Sequence, residues 1–270
     1  MNFNSQQIYK YPRTHHIEGS CLQSGDEDLN IIPFSKVADK YLVVEEKMDG
    51  ANSGISFTEN GKLLLQSRGH YLTGGEREKH FNLFKSWAAA HSMALFEVLG
   101  SRYIMYGEWL YAKHTVYYNK LPHYFMEFDI LDTYSNSFLS TAAREEILNL
   151  LPFVISVKVL YEGKIDNIEG LRSLLTPSYF IGGDHLHELY KRASEKGIDP
   201  ERVLKETDPT NYMEGLYVKV EQEGQVTDRF KYVRKNFLNT VLQARDHWLN
   251  RPIIPNKLQE GVELFGGFYD

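Results

Sequence analysis

The sequence predicts an α+β fold in which antiparallel sheets are flanked by helices. The first observation is a series of short runs rich in β-branched and aromatic residues, such as Tyr41–Glu46 and Tyr124–Leu131. The second is the Asn60-Gly61 pair between two such runs, which favours a tight hairpin because both residues readily adopt positive φ. Helical patterns interrupt these runs irregularly, so the chain lacks the regular βαβ alternation of a parallel sheet.

The predicted strands are short apolar runs bounded by turn residues or charges. β-Branched and aromatic side chains fit the pleated, half-buried surface of a sheet, which explains their enrichment in these runs. In chain order the predicted strands are Tyr41–Glu46, Gly54–Phe57, Lys62–Ser67, Tyr103–Leu110, Tyr124–Leu131, Val154–Leu160, Gly215–Val220 and Arg229–Val233.

The predicted helices are segments in which apolar residues recur at helical spacing. Gly74–Leu95 has apolar residues on one face at Phe81, Phe84, Trp87 and Ala88. Thr141–Leu151 has Ser140 as a candidate N-cap and Pro152 after its end, and its charged residues are expected on the outer face. The remaining predicted helices are Ile168–Leu175, His185–Lys196 with Asp184 as N-cap, and Asn236–Leu249, followed by a loose or surface-bound tail.

The composition indicates a globular protein of 270 residues, 42% hydrophobic and 24% charged. The net charge of −6 argues against a surface broadly coated with positive charge, although a local basic channel for phosphates remains compatible with it. The single cysteine, Cys21, cannot form an internal disulfide, and the histidine pairs lack downstream zinc ligands. The N-terminus lacks an apolar signal segment, and no run reaches the ~18 apolar residues of a membrane span. A cytoplasmic location is therefore expected.

The most informative stretch is Glu45-Glu46-Lys47-Met48-Asp49-Gly50-Ala51-Asn52, where a lysine, an aspartate and a glycine follow a predicted strand. The glycine allows the backbone to pass close to a ligand. A free lysine has a pKa of about 10.4 and is therefore protonated near neutral pH. Burial or nearby cations can activate it as a nucleophile. The same short pattern also fits a solvated lysine in a turn, so its context must decide.

Six short segments occur in an order that resembles the covalent nucleotidyltransferases, which include DNA ligases, RNA ligases and mRNA capping enzymes. Lys47-Met48-Asp49-Gly50 resembles motif I, which carries the nucleophilic lysine. Each segment is short, and their common order between residues 41 and 234 carries the resemblance. The other five are Ser67-Arg68-Gly69 after the first hairpin, Tyr106–Leu110 for motif III, Phe125–Asp132 for motif IIIa, Glu214–Lys219 for motif IV and Arg229–Arg234 for motif V.

This resemblance implies a nucleotidyltransferase (ligase adenylation) domain with a nucleotide pocket between its sheets. It also implies ATP and Mg²⁺, or Mn²⁺, as the nucleotide and metal. Lys47 would become linked to AMP, Lys231 and Lys219 would meet the α-phosphate, and Glu214 would bind the metal. The residues expected at ATP are Glu46, Asp49, Gly50, Asn52, Arg68, Glu108, Phe128 and Arg234, with Glu108 at the ribose, Phe128 or Phe125 against adenine, and Glu46 at the adenine edge.

Two features favour the RNA ligase branch. DNA ligases and capping enzymes usually carry arginine two residues after the motif I glycine, whereas this chain has Asn52, which is similar to nick-sealing RNA ligases. DNA ligases and capping enzymes also have a five-stranded OB-fold barrel after motif V. Residues 235–270 are few for such a barrel and begin with a predicted helix. We therefore expect one adenylyltransferase domain over residues 1–270, with a helical extension over residues 236–270 and no OB-fold domain.

The expected partners are RNA ends bearing a 5′-phosphate and a 3′-hydroxyl, free or in a nicked duplex, together with end-healing enzymes that generate such ends. Three alternatives stay open: a DNA ligase or another adenylyltransferase with a different acceptor, use of GTP, and a nucleotide- or RNA-end-binding module without turnover. The segment Tyr11–Ser20 is similar to segments that precede motif I in RNA ligases, without an assigned role. Residues 133–212 match no motif.

Overall fold

The computed structural model describes residues 8–22, 26, 28–237 and 252–266. Six α-helices lie in these residues: α1 (Asn82–Ala90), α2 (Ser92–Leu99), α3 (Thr141–Leu148), α4 (Ile168–Arg172), α5 (His185–Glu195) and α6 (Pro200–Lys205). The strands are β1 (His15–Ile17), β2 (Ile31–Ile32), β3 (Leu42–Lys47), β4 (Ala51–Phe57), β5 (Leu63–Ser67), β6 (Tyr103–Trp109), β7 (Phe125–Asp132), β8 (Ser137–Leu139), β9 (Ile155–Ser156), β10 (Val159–Gly163), β11 (Gly215–Gln222) and β12 (Gln225–Val233). Short 3₁₀ helices span Phe34–Lys36 and Glu76–Phe81.

Within the described residues the strands form one mixed sheet in the order β10-β3-β11-β12-β8-β7-β6-β4-β5. Neighbours along this path are antiparallel, while β1 lies parallel to β12 and β9 lies parallel to β7. The short β8 pairs with both β12 and β7 and joins two halves. We call β10-β3-β11-β12 the first half and β7-β6-β4-β5 the second half.

Each half has a hydrophobic core on its outer face. In the first half, Val44, Leu216 and Val218 are fully buried in one apolar cluster. In the second half, α1 and α2 cover the sheet and pack Phe84 and Trp87 against the strands. Burial of one such side chain stabilises the fold by roughly 1.5–3 kcal/mol. The two cores thereby fix which face of each half turns inward.

The inner face of the first half carries its ionisable side chains. Side chains alternate along a strand, so Glu45 and Lys47 lie on the face opposite Val44. Register places Glu45 opposite Tyr217, and Tyr217 opposite Lys231, across three adjacent strands. In β3 the face of Glu45 and Lys47 therefore turns inward, while the face of Leu42 and Val44 packs in the outer core.

The structure confirms the predicted mixed fold but changes several element boundaries. The predicted helix Gly74–Leu95 begins instead as the 3₁₀ helix from Glu76 and breaks between α1 and α2 at His91. Gly74 and Gly75 have φ values of 122° and 111°, which exclude them from a helix. The predicted strand Val154–Leu160 is divided into β9 and β10. Strands β1, β2 and β8 and helix α6 were not predicted.

The two predicted helix caps have different outcomes. Ser140 accepts a hydrogen bond from the Ala143 amide and caps α3 as predicted, whereas the Asp184 side chain makes no capping bond at α5. The expectation that the charges of α3 face outward was wrong for Arg144, which is buried. Its guanidinium reaches carboxylates of the sheet, and these ion pairs offset the cost of removing it from water.

The C-terminal residues 252–266 pack against the fold and are mostly exposed or half-buried, which agrees with the surface-bound alternative for the tail and not with the loose one. The Asn256 side chain accepts a hydrogen bond from the Tyr118 amide and donates one to the Leu110 carbonyl, at 3.0 and 2.7 Å. These backbone groups are buried and need partners, which explains the docking. Most of the predicted helix Asn236–Leu249 lies outside the described residues. In the described part of the chain, no helix is long and apolar enough to cross a membrane.

Candidate active site

Lys47 lies at the C-terminal end of β3, beside the start of β11. Its Nζ atom is 2.8 Å from the carboxylate of Glu214, whose side chain is buried. The Lys47 side chain keeps 23% exposure, so its amine can be reached from solvent. Burial opposes charge on Lys47, but Glu214 and Glu108 outweigh that effect and leave the Lys47 pKa above its usual value. Without ligands the lysine is therefore an ammonium ion paired with Glu214.

The turn after Lys47 is fixed by hydrogen bonds from Asp49. One Asp49 carboxylate oxygen accepts bonds from the backbone amides of Thr115 and Val116, both at 2.7 Å. The Asp49 amide in turn donates to the Tyr118 hydroxyl at 2.9 Å. Asp49 thus anchors the turn to residues 115–118. Its predicted contact with the nucleotide stays a prediction.

Gly50 brings the same turn against β6. Its amide donates to the Glu108 carboxylate at 3.1 Å. A Cβ atom at position 50 would lie 2.8 Å from the Trp109 carbonyl oxygen and 2.9 Å from the Cγ atom of Glu108. Glycine is therefore required here by the close approach of two backbone segments.

Asn52 and Glu108 lie opposite each other on β4 and β6. The Asn52 side-chain oxygen is buried and has no hydrogen-bond partner in the described part of the chain. Arg68 is exposed just beyond β5, and its positive charge acts on Glu108. An unpaired buried oxygen beside a carboxylate is costly, and a ligand that donates hydrogen bonds would remove that cost.

The carboxylates of this region carry more negative charge than their cationic neighbours neutralise. Burial, together with the charges of Glu214 and Asp49, raises the pKa of Glu108 to about 8. Burial and the charge of Asp49 raise the pKa of Glu214 to about 7. The described residues contain no group of three potential metal ligands. Mg²⁺ and Mn²⁺ bind through few protein oxygens and retain waters, so Glu214 with its neighbours fits such an ion.

Lys231 approaches the same region from β12. Its Nζ atom is paired with Asp26, and both side chains are 12% exposed. Burial lowers the pKa of Lys231, Asp26 opposes this effect, and the charge of Lys47 adds to it. The mutual influence of Lys47 and Lys231 indicates that the structure brings these two predicted lysines together.

Lys219 lies deeper between the two halves and has no exposure. Its ammonium pairs with Glu45 at 2.8 Å and Asp129 at 3.2 Å, and it donates to the Phe128 carbonyl oxygen. A direct contact with the α-phosphate would require exchange of at least one of these partners. The catalytic role of Lys219 stays a prediction.

Phe128 and Glu46 lie in different surroundings. The Phe128 ring is half-buried and meets the Tyr11 ring edge-on at 5.2 Å. Glu46 lies on the face of β3 opposite Lys47, where its carboxylate accepts a hydrogen bond from the Ser178 hydroxyl at 2.5 Å. Burial raises the pKa of Glu46 to about 7. Contacts of both residues with adenine stay predictions.

Arg234 is engaged by neighbouring protein groups. Its guanidinium pairs with Asp208, donates to the Met213 carbonyl oxygen at 2.7 Å and to the Thr210 hydroxyl at 3.1 Å. Burial lowers the pKa of Arg234 to about 10. The Arg234 amide donates to the Glu214 carbonyl, so the residue lies beside the site while its role at ATP stays a prediction.

Sequence reasoning missed the residues that support this site from other segments. Arg144 comes from the unmatched region 133–212, and Asp26 follows the N-terminal segment that had no assigned role. The sequence around Arg144 and around Asp26 has no motif or residue spacing that predicts these contacts. The only signal was the resemblance of Tyr11–Ser20 to segments of RNA ligases.

A family model described as RNA ligase matches residues 40–233, which are most of the chain and span Lys47, Glu108, Glu214 and Lys231. The chain belongs to the RNA ligase family. No curated protein matches it in sequence.

Solved structures with a similar fold include variants of an RNA ligase from Naegleria gruberi. This family member aligns with one determined with AMP and Mn at a TM-score of 0.55 and 15% identity, over 87% of this chain and 59% of that one. It aligns with another, determined with ATP and Mn, at a TM-score of 0.53 and 15% identity, over 86% and 58%. A third, also with ATP and Mn, gives 0.51 and 15%, over 78% and 54%. The chain thus spans somewhat more than half the length of these proteins, and the likeness shows a common fold.

Proposed function

We propose that this chain is an ATP-dependent RNA ligase that forms a covalent lysyl-AMP at Lys47 and then joins RNA ends. The observation that carries the proposal is the Lys47–Glu214 pair at 2.8 Å, inside the region that matches the RNA ligase family. A partly accessible lysine beside a buried carboxylate combines a nucleophile with a metal ligand. ATP and Mn in the Naegleria structures support the choice of nucleotide and metal.

In the first step, the neutral amine of Lys47 attacks the α-phosphorus of ATP. An N–P bond forms, the bond between the α-phosphorus and the bridging oxygen breaks, and pyrophosphate leaves with the electron pair. The raised pKa of Lys47 means that its ammonium must first release a proton to water, which reaches the partly exposed side chain, and lose its contact with Glu214. A divalent metal bound at Glu214 would supply positive charge for the phosphates.

Other residues orient the nucleotide in this proposal. Lys231 meets the charge that develops on the α-phosphate, with Lys219 as a second cation. Glu108 and Asn52 accept hydrogen bonds from the ribose side, and Arg68 contacts ribose or the incoming phosphate. The remaining predicted contacts are Phe128 against adenine, Glu46 at the adenine edge, Asp49 and Gly50 in the turn, and Arg234 near Glu214.

In the later steps, AMP passes from Lys47 to the 5′-phosphate of an RNA end. A 3′-hydroxyl then attacks that phosphate, and AMP leaves as the phosphodiester forms. The end is either free or held in a nicked duplex, and an end-healing enzyme would supply the required termini. A single adenylyltransferase domain that performs these steps is the domain organisation we propose.

The first test is lysyl-AMP formation with α-phosphate-labelled ATP and Mg²⁺ or Mn²⁺. We expect acid-labile, base-stable label on the wild type and no label on Lys47→Ala. The exposed Lys62 provides a matched control, and Lys62→Ala should label like the wild type. No label with ATP or GTP, on protein shown to be free of bound AMP, would contradict the proposal and favour a binding module.

The second test supplies 5′-phosphorylated acceptors to the labelled protein. We expect transfer of AMP to RNA ends, with RNA nicks, RNA–DNA hybrids and single strands compared at equal concentration. Transfer to DNA alone would make the protein a DNA ligase instead. Competition by GTP against labelled ATP identifies the nucleotide.

A further inference from the structure

The N-terminal segment becomes part of the sheet beside Lys231. Strand β1 pairs with β12 in parallel register, with His16 opposite Lys231. His16 is fully buried, whereas its neighbour His15 is half-exposed. The segment therefore directs one histidine into the protein next to a predicted catalytic lysine.

A chain of hydrogen bonds leads from the backbone of β12 to the ammonium of Lys231. The Val233 amide donates to the Ser20 hydroxyl at 2.9 Å, and this hydroxyl shares a hydrogen bond with His16 Nδ1 at 2.6 Å. His16 Nε2 lies 3.0 Å from an Asp26 carboxylate oxygen. The same oxygen pairs with Lys231 Nζ. The relay begins and ends on one strand, so it holds Asp26 at a fixed position relative to Lys231.

Asp26 is also held from the solvent side. Arg13 donates to the second Asp26 oxygen at 3.2 Å. Hydrogen bonds from His16, Lys231 and Arg13 outweigh burial and hold the pKa of Asp26 well below its usual value. The carboxylate thus remains charged next to Lys231 throughout the neutral range.

Glu214, the carboxylate that pairs with Lys47, has different surroundings from those of Asp26. The buried Glu214 carboxylate is paired with Lys47, whereas the Asp26 carboxylate contacts Lys231, Arg13 and His16. Both lysines lie in one partly buried region and disfavour each other's charge. Asp26 opposes this effect at Lys231 and favours its ammonium form.

We infer that Asp26, held by His16 and Ser20, is a positioning residue that fixes the Lys231 ammonium where it meets the phosphate of the nucleotide. The inference deepens the proposed function and rests on it. A lysine has a flexible four-carbon side chain, so a pre-set position removes reorganisation at the moment of reaction. Asp26 acts through Lys231 and contacts no reacting atom.

The test compares Asp26→Asn with a matched control, Asp28→Asn. Asp28 also binds Arg13, but its side chain is 67% exposed and its described ion pair is with Arg13 alone. We expect Asp26→Asn to slow single-turnover lysyl-AMP formation at saturating ATP by about 10- to 100-fold, less than loss of a direct transition-state donor. Asp28→Asn should stay within about twofold of the wild type.

A double-mutant cycle separates positioning from a general structural role. Asp26→Asn is introduced into wild type and into Lys231→Gln, and lysyl-AMP formation and the affinity for α,β-methylene ATP, which cannot react, are measured. We expect that Asp26→Asn causes no further loss in the Lys231→Gln protein. If Lys231→Gln forms lysyl-AMP too slowly to measure, the affinities of the four proteins for α,β-methylene ATP provide the same comparison. Equal losses in both backgrounds would overturn the inference.

Ser20→Ala provides an independent variant if Asp26→Asn does not fold. It removes the Ser20 hydroxyl from the relay and leaves Asp26 in place. We therefore expect a smaller reduction in the rate of lysyl-AMP formation, and no reduction when Ser20→Ala is added to Lys231→Gln.

Faster reaction or tighter nucleotide binding in Asp26→Asn would mean that Asp26 competes with the phosphates, which also overturns the inference. Wild-type protein that forms no lysyl-AMP rejects the proposed function. Asp26→Asn that reacts like wild type rejects this inference alone.

Discussion

Two clusters of buried charge lie side by side on the inner faces of the sheet and differ in their charge balance. The site cluster consists of Lys47, Asp49, Glu108 and Glu214. The bracing cluster consists of Glu45, Glu127, Asp129, Arg144, Lys219 and Arg229. In the bracing cluster three carboxylates face three cations, whereas the site cluster has three carboxylates around one lysine.

The bracing cluster joins the two halves of the sheet. Arg144 binds Glu45 of β3 at 2.8 Å and Glu127 of β7 at 2.9 and 3.0 Å. Lys219 of β11 reaches Asp129 of β7 in the same way. Because these charges neutralise one another, their ion pairs stabilise the contact between the two halves of the sheet. The unbalanced site cluster is instead suited to receive cations from outside.

Among the substitutions that test this comparison, Arg144→Met should have the largest effect on the free energy of unfolding. The substitution keeps similar volume but leaves Glu45 and Glu127 buried without their cation, which should cost about 3–5 kcal/mol of unfolding free energy. Urea unfolding measures this loss. Arg144→Lys, which keeps the charge, should lose less, and Lys191→Met in an exposed helix pair should change little. A loss for Arg144→Met no greater than that for Lys191→Met would refute the bracing role.

A smaller effect is expected from Glu108→Gln in the site cluster, and it depends on pH. The raised pKa of Glu108 means that the folded protein binds this proton more tightly than the unfolded chain. Stability should therefore fall as pH rises from the unfolded value of about 4.3 through the folded value. Glu108→Gln removes this term, so it should be more stable than wild type by about 1–2 kcal/mol near pH 8 and alike near pH 4.

Unfolding of the ligand-free protein at several pH values measures that difference. Added Mn²⁺ should reduce it, because a bound cation stabilises the charged carboxylates of the folded state. A pH-independent difference between the two proteins would show that the site cluster is as well neutralised as the bracing cluster.

The smallest effect concerns the helix that carries Arg144. Ser140→Ala removes the cap of α3 and should cost about 1 kcal/mol of unfolding free energy. Asp184→Ala, at a residue before α5 whose side chain makes no capping bond, is the matched control and should have little effect. Similar losses for the two variants would show that the capping geometry does not distinguish them.

The predictions that succeeded rest on local patterns. Strands β3, β5, β6 and β7 follow from short β-branched and aromatic runs, and the turn at Gly61 has the positive φ of 77° that its Asn-Gly sequence favours. The order of the motifs was also sufficient for the RNA ligase family. Helix α1 was less well predicted because Gly74 and Gly75 leave helical conformation before it begins.

The sequence by itself determined the mixed fold and the residues from which a ligase site could be built. Only the tertiary structure decided which charges balance one another. Arg144 looked like a surface residue because local periodicity cannot reveal a carboxylate 99 positions away. Asp26 and Lys231 are 205 positions apart and meet because β1 pairs with β12. Electrostatic balance depends on distances and burial in space, and spacing along the chain contains neither.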